Sequence, residues 1–304
     1  MTKTPQADPS MIGGVPEPPF VLLPDPAKLF ETRAKRFAFL ARHDANLAPY
    51  LTFLADLTAL QAKLLASLPP VPPIAPEKAR QAREFSMPPV ERASLAEDPT
   101  LVATFVALIA AAADLEMPES ARQALSAVWA ADEEDRRWLL SNILSDQIPE
   151  GAAAPHLFAA AAVQIHMARL AAALDPKALI PVGVGICPSC GGRPATSSVT
   201  GGQEIDNLRY AACACCATRW NEVRVKCLCC GSTKGLAYRS AATHEATVKA
   251  ESCAECGSWV KILYQVKNPS LDPIADDVGS LGLDILMKDS GATRGGFNPY
   301  LAGY

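Results

Sequence analysis

Eight of the ten cysteines in this chain form four Cys-x-x-Cys pairs, and no other feature constrains the fold as strongly. The third pair follows the first at the same distance along the chain as the fourth follows the second. The separation between the two inner cysteines is also the same in both halves. This repeated spacing predicts two copies of one metal-binding unit, side by side. The pairs are Cys187/Cys190, Cys213/Cys216, Cys227/Cys230 and Cys253/Cys256.

Each Cys-x-x-Cys turn aims two sulfurs at one centre, and two such turns complete a tetrahedron. Metal–sulfur distances of about 2.3 Å suit zinc, and the same four sulfurs suit a single iron of the rubredoxin kind. A glycine follows three of the turns and helps the backbone amides to point inward, at Gly191, Gly231 and Gly257. The pattern therefore predicts two tetrahedral metal ions, each held by four cysteines.

The repeat also assigns the eight cysteines to two sites. In the competing arrangement, the two central pairs share one ion. A disulfide framework is the other alternative, but residues 1–8 lack the apolar core of a signal peptide, which indicates the cytoplasm, where thiols stay reduced. Site 1 comprises Cys187, Cys190, Cys213 and Cys216; site 2 comprises Cys227, Cys230, Cys253 and Cys256.

Two further cysteines, Cys215 and Cys229, break the repeat, because Glu255 and Ser189 occupy the equivalent positions. Each lies between the two ligands of a central pair. One hypothesis makes them redox-sensitive thiols or alternative metal ligands. The other makes them small, partly buried side chains without a chemical role.

Composition and coordination exclude several classes of function. A closed four-sulfur shell has no position for a catalytic water, so we expect no enzyme. The formal net charge of -4 argues against a general polyanion binder, and we expect no nucleic acid among the partners. The most apolar run, Leu101 to Leu115, is shorter than a membrane span and has Asp98 and Glu116 at its ends. It predicts a buried helix and no membrane insertion.

The chain changes character near residue 180, which predicts an α+β organisation. Apolar residues spaced three and four apart predict an all-helical N-terminal domain of about six helices. Short alternating stretches between turn residues predict two tandem rubredoxin-like, zinc-ribbon-like β modules, followed by a short C-terminal helical tail. In this tail, 276–288 is expected to contain a short helix. Residues 291–304 have the glycines of a mobile segment, but we expect them to pack against the body of the protein. The expected divisions are an extended segment 1–26, the helical domain 27–180, the modules 181–224 and 225–268, and the tail 269–304.

With these motifs placed, the chain resembles the formate dehydrogenase accessory proteins known as FdhE. One departure from the family pattern is Ala217, which stands where glycine follows the other three turns. The resemblance is carried by Cys187-Pro-Ser-Cys-Gly-Gly192, Cys213-Ala-Cys-Cys216, Cys227-Leu-Cys-Cys-Gly231, Leu22-Leu-Pro-Asp-Pro26, Tyr50-Leu-Thr-Phe-Leu54, Asp272-Pro-Ile-Ala-Asp-Asp277 and Asn298-Pro-Tyr-Leu301.

This resemblance implies a cytoplasmic, non-enzymatic maturation factor that formate dehydrogenase needs for activity and that binds the catalytic subunit of that enzyme. It also implies iron of the rubredoxin type at the two four-cysteine sites, with zinc as the other possible metal. Two further functions stay open. One is a rubredoxin-like electron-transfer or redox-sensing protein, and the weaker one is a nucleic-acid-binding zinc ribbon.

Overall fold

A computed structural model of the chain describes residues 18–201, 207–241 and 245–301. Helices come first, a β-sheet follows, and a short helical tail ends the described chain. The predicted α+β fold class is therefore confirmed. The helical region contains α1 Pro26–Ala41, α2 Ala48–Leu65, α3 Pro76–Glu84, α4 Pro99–Ala112, α5 Glu119–Ala130, α6 Glu133–Leu144 and α7 Ala153–Ala172, with a 3-10 helix at Arg92–Glu97.

The ends of these helices follow from local chemistry. Several helices have proline in the first turn, where its missing N–H has no partner to lose. The side chain of Asp98 accepts hydrogen bonds from the N–H groups of Thr100 and Leu101, at 2.8 and 3.0 Å, and so caps α4. The expected number of helices was too low, because the proline-rich run before Pro76 hides the start of α3.

Helix α7 forms the centre of the helical region. Its alanines from Ala159 to Ala162 have no exposed surface, so α4, α5 and α6 approach it closely. His156 and His166 lie on this helix and are also buried. The core of the protein is therefore built around an almost completely enclosed helix.

The strands of the described residues form one sheet, in the order β1-β4-β3-β2-β7-β6-β5, with β8 beside β7. The first module supplies β2 to β4 and the second supplies β5 to β7. Strands β2 and β7 pair in parallel, with Thr196 opposite Lys261, so the two modules share one continuous sheet. The strands are β1 Val21–Leu22, β2 Pro194–Thr200, β3 Leu208–Cys213, β4 Arg219–Glu222, β5 Leu236–Arg239, β6 Val248–Cys253, β7 Ser258–Tyr264 and β8 Thr293–Arg294.

The N-terminal segment is anchored at one edge of the sheet. Val21 lies opposite Trp220 in the pairing of β1 with β4, and the hydroxyl of Tyr210 donates a hydrogen bond to the Pro19 carbonyl at 2.9 Å. Residues 1–17 of the expected extended segment lie outside the described residues.

The C-terminal tail packs against the protein as expected, but its predicted helix is interrupted. The helix is divided into α8 Ala275–Gly279 and α9 Leu281–Lys288. The part of 291–304 that is described, up to residue 301, is packed into the protein, and Tyr300 is buried in the main core. The Tyr50 hydroxyl donates to the Tyr300 carbonyl at 2.7 Å, and the Tyr300 hydroxyl donates to Gln164 Oε1 at 3.0 Å. Residues 302–304 lie outside the described part.

Buried ion pairs connect the tail to both parts of the protein. Arg33 Nε lies 3.1 Å from Asp272 Oδ1, and Arg36 Nη2 lies 2.6 Å from Asp276 Oδ1. Both arginines belong to α1. The tail thereby holds the helical region against the sheet.

Across the described ranges, the structure contains no helix with both the length and the apolar character needed to cross a bilayer.

Candidate metal centres

The four sulfurs of site 1 meet where the sheet contacts the helical region. All lie within 4.8 Å of one another, and the distances are 3.6 Å both from Cys187 Sγ to Cys216 Sγ and from Cys190 Sγ to Cys213 Sγ. Four ligands at about 2.3 Å from an ion, at the corners of a tetrahedron, are about 3.8 Å apart. Site 1 therefore has the size that a tetrahedral metal ion requires.

Site 2 repeats this arrangement in the second module. Its four sulfurs also lie within 4.8 Å of one another, with 3.8 Å between Cys227 Sγ and Cys256 Sγ and between Cys230 Sγ and Cys253 Sγ. These distances are far above the S–S bond length of about 2.05 Å, and all ten cysteines are free. The structure groups the sulfurs in the two sets that the repeated spacing favours, and it does not bring the two central pairs together in one set. Metal binding by these cysteines stays a prediction.

The backbone of each turn explains how it presents its sulfurs. The N–H groups of Cys215 and Cys216 point at Cys213 Sγ, at 3.4 and 3.5 Å, and such hydrogen bonds stabilise a thiolate. The residue after each turn adopts a positive φ, between 59° and 78°. Ala217 adopts this left-handed conformation at φ 59°, so the second turn, Cys213–Cys216, keeps the backbone geometry of the other three without their glycine.

The two sites differ in their access to solvent. No cysteine of site 1 is more than 2% exposed. At site 2, Cys227 and Cys253 are buried, whereas Cys230 and Cys256 are exposed. Only the second centre is therefore open to molecules in solution.

Hydrogen bonds attach site 1 to the helical region. The Val90 N–H donates to the Ser189 carbonyl at 3.0 Å, and Gln164 Nε2 donates to the Ala214 carbonyl at 3.0 Å. Both carbonyls belong to residues inside the Cys-x-x-Cys turns. The Thr218 hydroxyl lies 3.2 Å from Cys216 Sγ. Site 1 is thus a junction between the two parts of the fold.

Arg92 is a charged residue beside site 1 that the sequence did not reveal. Its Nη1 and Nη2 donate to the Asp146 carboxylate at 2.9 and 2.6 Å. A Cβ placed on Gly192 would lie 2.6 Å from Arg92 Nη1 and 3.3 Å from Cys213 Sγ, so the guanidinium and this sulfur border one small space. Burial opposes the charge on Arg92, but the Cys215 sulfur and Asp146 raise its pKa above its ordinary value. No motif or spacing connects Arg92 with cysteines so distant in the sequence.

The pKa values of the thiols differ within each site. At site 1, burial raises the pKa of Cys187 well above the ordinary cysteine value, whereas hydrogen bonds with neighbouring sulfurs hold the pKa of Cys213 well below it. At site 2, burial raises the pKa of Cys227, whereas the N–H and hydroxyl of Ser258 lower that of Cys256 to about 7 against the effect of burial. Each site therefore combines thiols of raised and of lowered pKa.

The two surplus cysteines occupy contrasting positions. Cys215 is buried in the core between site 1 and the helical region. Cys229 is exposed, and its Sγ lies against Gly295, where an added Cβ would come within 2.2 Å of it. Neither belongs to a four-sulfur set. The interpretation as a small buried side chain suits Cys215, and chemical reactivity suits only Cys229.

Comparison with known proteins covers the whole described chain. Residues 18–184 match the family described as FdhE, N-terminal. Residues 186–224 match the FdhE central domain, and residues 225–301 match the FdhE C-terminal domain. The three matches follow one another without overlap, and both four-sulfur sets fall within the last two.

Individual relatives agree with these matches. The chain is 52% identical over 301 residues to an FdhE homologue of Rhizobium meliloti (strain 1021), and the match covers 98% of both chains. It is 35% identical to an FdhE homologue of Proteus mirabilis (strain HI4320), over 93% of this chain and 91% of that one. The crystal structure of the FdhE protein from Pseudomonas aeruginosa superposes with a TM-score of 0.82 at 31% identity, covering 94% of this chain and 99% of that chain. The chain therefore belongs to the FdhE family.

Proposed function

We propose that this chain is a non-enzymatic accessory protein for formate dehydrogenase, which binds the catalytic subunit of the immature enzyme through a metal-stabilised surface. Membership of the FdhE family supports the accessory role. The metal-dependent part of the proposal rests on one observation, the two sets of four sulfurs with spacings that suit a tetrahedral ion.

A bound ion would contribute much of the stability of the second module. A separate core beside this module consists of only four buried residues, two from the module and two from helix α9 of the tail, and so small a core is marginal by itself. In small metal-binding units, the free energy of binding is also free energy of folding. Loss of the ion would therefore disorder the surface that the module presents. Those four residues are Ala250, Trp259, Leu283 and Met287.

The donor set also supports a role without catalysis. Four cysteines fill the coordination sphere of zinc or iron and leave no position for a substrate. A bound ion would cross-link two Cys-x-x-Cys turns, and iron would add the capacity to exchange one electron. The residues of the chain therefore provide a rigid, metal-dependent scaffold for a partner.

The test compares metal-loaded, metal-free and reloaded protein in binding to the metal-free catalytic subunit, with all steps performed without oxygen. We expect two ions per chain, loss of binding after chelation and recovery after reloading. Cys227→Ser should lose one ion and weaken binding. Cys229→Ser, its matched control in the same turn, should keep both ions and bind normally. Unchanged binding by the metal-free protein would contradict the proposal.

A visible spectrum distinguishes the electron-transfer alternative. Ferric thiolate absorption that dithionite bleaches reversibly, in a protein that does not bind the catalytic subunit, would favour an electron carrier. A colourless protein with two zinc ions would exclude that function.

A further inference from the structure

The two centres share one design but have different surroundings. Every sulfur of site 1 is enclosed, and the turns that carry these sulfurs are hydrogen-bonded to the helical region through Val90 and Gln164. A chelator can reach site 1 only after the sheet separates from the helices. Two sulfurs of site 2, those of Cys230 and Cys256, already face solvent.

The two centres also differ in the charged groups that surround them. A divalent ion held by four thiolates carries a net charge of about -2, which is costly to bury. Arg92 lies beside site 1, because its Nη1 and Cys213 Sγ border the same small space at Gly192. It pairs with Asp146, whose carboxylate also accepts a hydrogen bond from the backbone N–H of Arg193 at 2.8 Å. Site 1 therefore has a guanidinium beside its buried sulfurs. The exposed sulfurs of site 2 are stabilised by solvent instead.

Each site has one surplus cysteine, and the two differ in access. Cys215 at site 1 is buried, whereas Cys229 at site 2 is exposed beside the exposed ligands Cys230 and Cys256. The position equivalent to Cys229 at site 1 holds Ser189, which is buried. An accessible surplus cysteine is therefore found at the open site only.

We propose that site 1 is a permanent structural centre, whose charge Arg92 balances, and that site 2 is an exchange centre. A soft divalent ion enters and leaves site 2 through the face formed by Cys229, Cys230 and Cys256. This inference rests on the proposed metal binding and assigns a different role to each of the two centres. Loading of site 2 then controls whether the second module presents its surface to a partner.

The first test measures the release of zinc from the fully loaded protein to an excess of the chromophoric chelator 4-(2-pyridylazo)resorcinol. We expect one equivalent to leave quickly and the second at a rate roughly tenfold or more lower, because site 1 must open before it is attacked. Alkylation with iodoacetamide after the fast phase, read by mass spectrometry, should label Cys230 and Cys256 but not Cys187 or Cys190. This assignment uses the unaltered protein and does not depend on any variant folding.

The second test addresses Arg92. Arg92→Gln should accelerate the slow phase and leave the fast phase unchanged. Arg36→Gln is the matched control, because it breaks another buried Arg–Asp pair, with Asp276. Equal acceleration by both variants would show a general loss of stability and overturn the role of Arg92.

The outcomes separate the two proposals. A protein that binds fewer than two ions from the start contradicts the proposed function itself. A protein that binds two ions and releases both in a single phase keeps that function and overturns the division between permanent and exchange centres. Fast release from site 1 with retention at site 2 would overturn it as well.

Discussion

Lys261 and Asp277 form an ion pair with 3.1 Å between Nζ and Oδ1, and neither side chain is exposed to solvent. Lys261 lies on β7 and Asp277 on α8, so the pair joins the middle of the sheet to the tail. Arg294 Nη2 and Asn298 Nδ2 also donate to Asp277 Oδ2, at 2.6 and 3.0 Å. Burial opposes the charge on this carboxylate, but Arg294 and Lys261 hold the pKa of Asp277 below its usual value.

Asp277→Asn should lower the free energy of unfolding by roughly 3–5 kcal/mol, because Lys261 and Arg294 would keep their charges in a buried site. Urea unfolding followed by circular dichroism measures the change. The control is Lys267→Ala, which removes an exposed pair with Glu245 and should cost less than about 1 kcal/mol. Similar losses in the two variants would contradict the structural importance of the buried pair.

His166 should make the protein sensitive to acid. Its ring is 1% exposed, neither ring nitrogen has a hydrogen-bond partner in the described residues, and burial lowers its pKa to about 4. In the unfolded chain this pKa is about 6.5, so the unfolded state takes up the proton first as the pH falls. The contribution of neutral, buried His166 to the free energy of unfolding is therefore fully present above about pH 6.5. It decreases toward pH 4, and the free energy of unfolding is lower by roughly 2 kcal/mol at pH 5.

Unfolding of the wild type and of His166→Leu, each measured at pH 7 and pH 5, checks this effect. The wild type should lose about 2 kcal/mol more than the variant, and proton competition at the thiolates cancels because it is common to both. His43→Gln, at an exposed histidine, should behave as the wild type does. Equal losses in wild type and His166→Leu would contradict the prediction.

Ala217→Gly should stabilise the protein by about 1 kcal/mol, because a residue with a Cβ is strained in the left-handed conformation that Ala217 adopts at φ 59°. The reverse change is Gly257→Ala, at φ 66°, where an added Cβ would meet nothing within 4 Å. It should destabilise by a similar amount through backbone strain alone. Thermal unfolding of both metal-loaded variants measures the two effects, and a change of the same sign in both would contradict this explanation.

Tyr300→Phe tests the role of the tail. The variant loses the hydroxyl that donates to Gln164, so unfolding should require about 1–2 kcal/mol less. Because Tyr300 is buried, binding to the catalytic subunit should be unchanged at temperatures where the variant is folded. Weaker binding without a loss of stability would instead indicate that the segment 298–301 contacts the partner.

The helical pattern was predictable because helices bury residues spaced three and four apart. Helix α3 escaped prediction because it begins at Pro76, the last residue of a proline-rich run, and buries only Ala82 among its residues. Packing of 291–301 against the body was expected, but its contact residues were not predictable, since Tyr300 bonds with Tyr50 and Gln164, far away in the sequence.

The sequence by itself indicated how the eight cysteines group into two sets of four. The spacing of cysteines within a turn is a local property of the sequence. The equal offset between corresponding pairs favours two matching sets of four sulfurs over a set formed by the two central pairs. Only the tertiary structure decided which centre is closed. Burial of site 1 depends on the helical region, its charge balance depends on Arg92, and the union of the modules depends on the parallel pairing of β2 with β7. These contacts join segments that are far apart in the sequence, so no local or periodic pattern of residues predicts them.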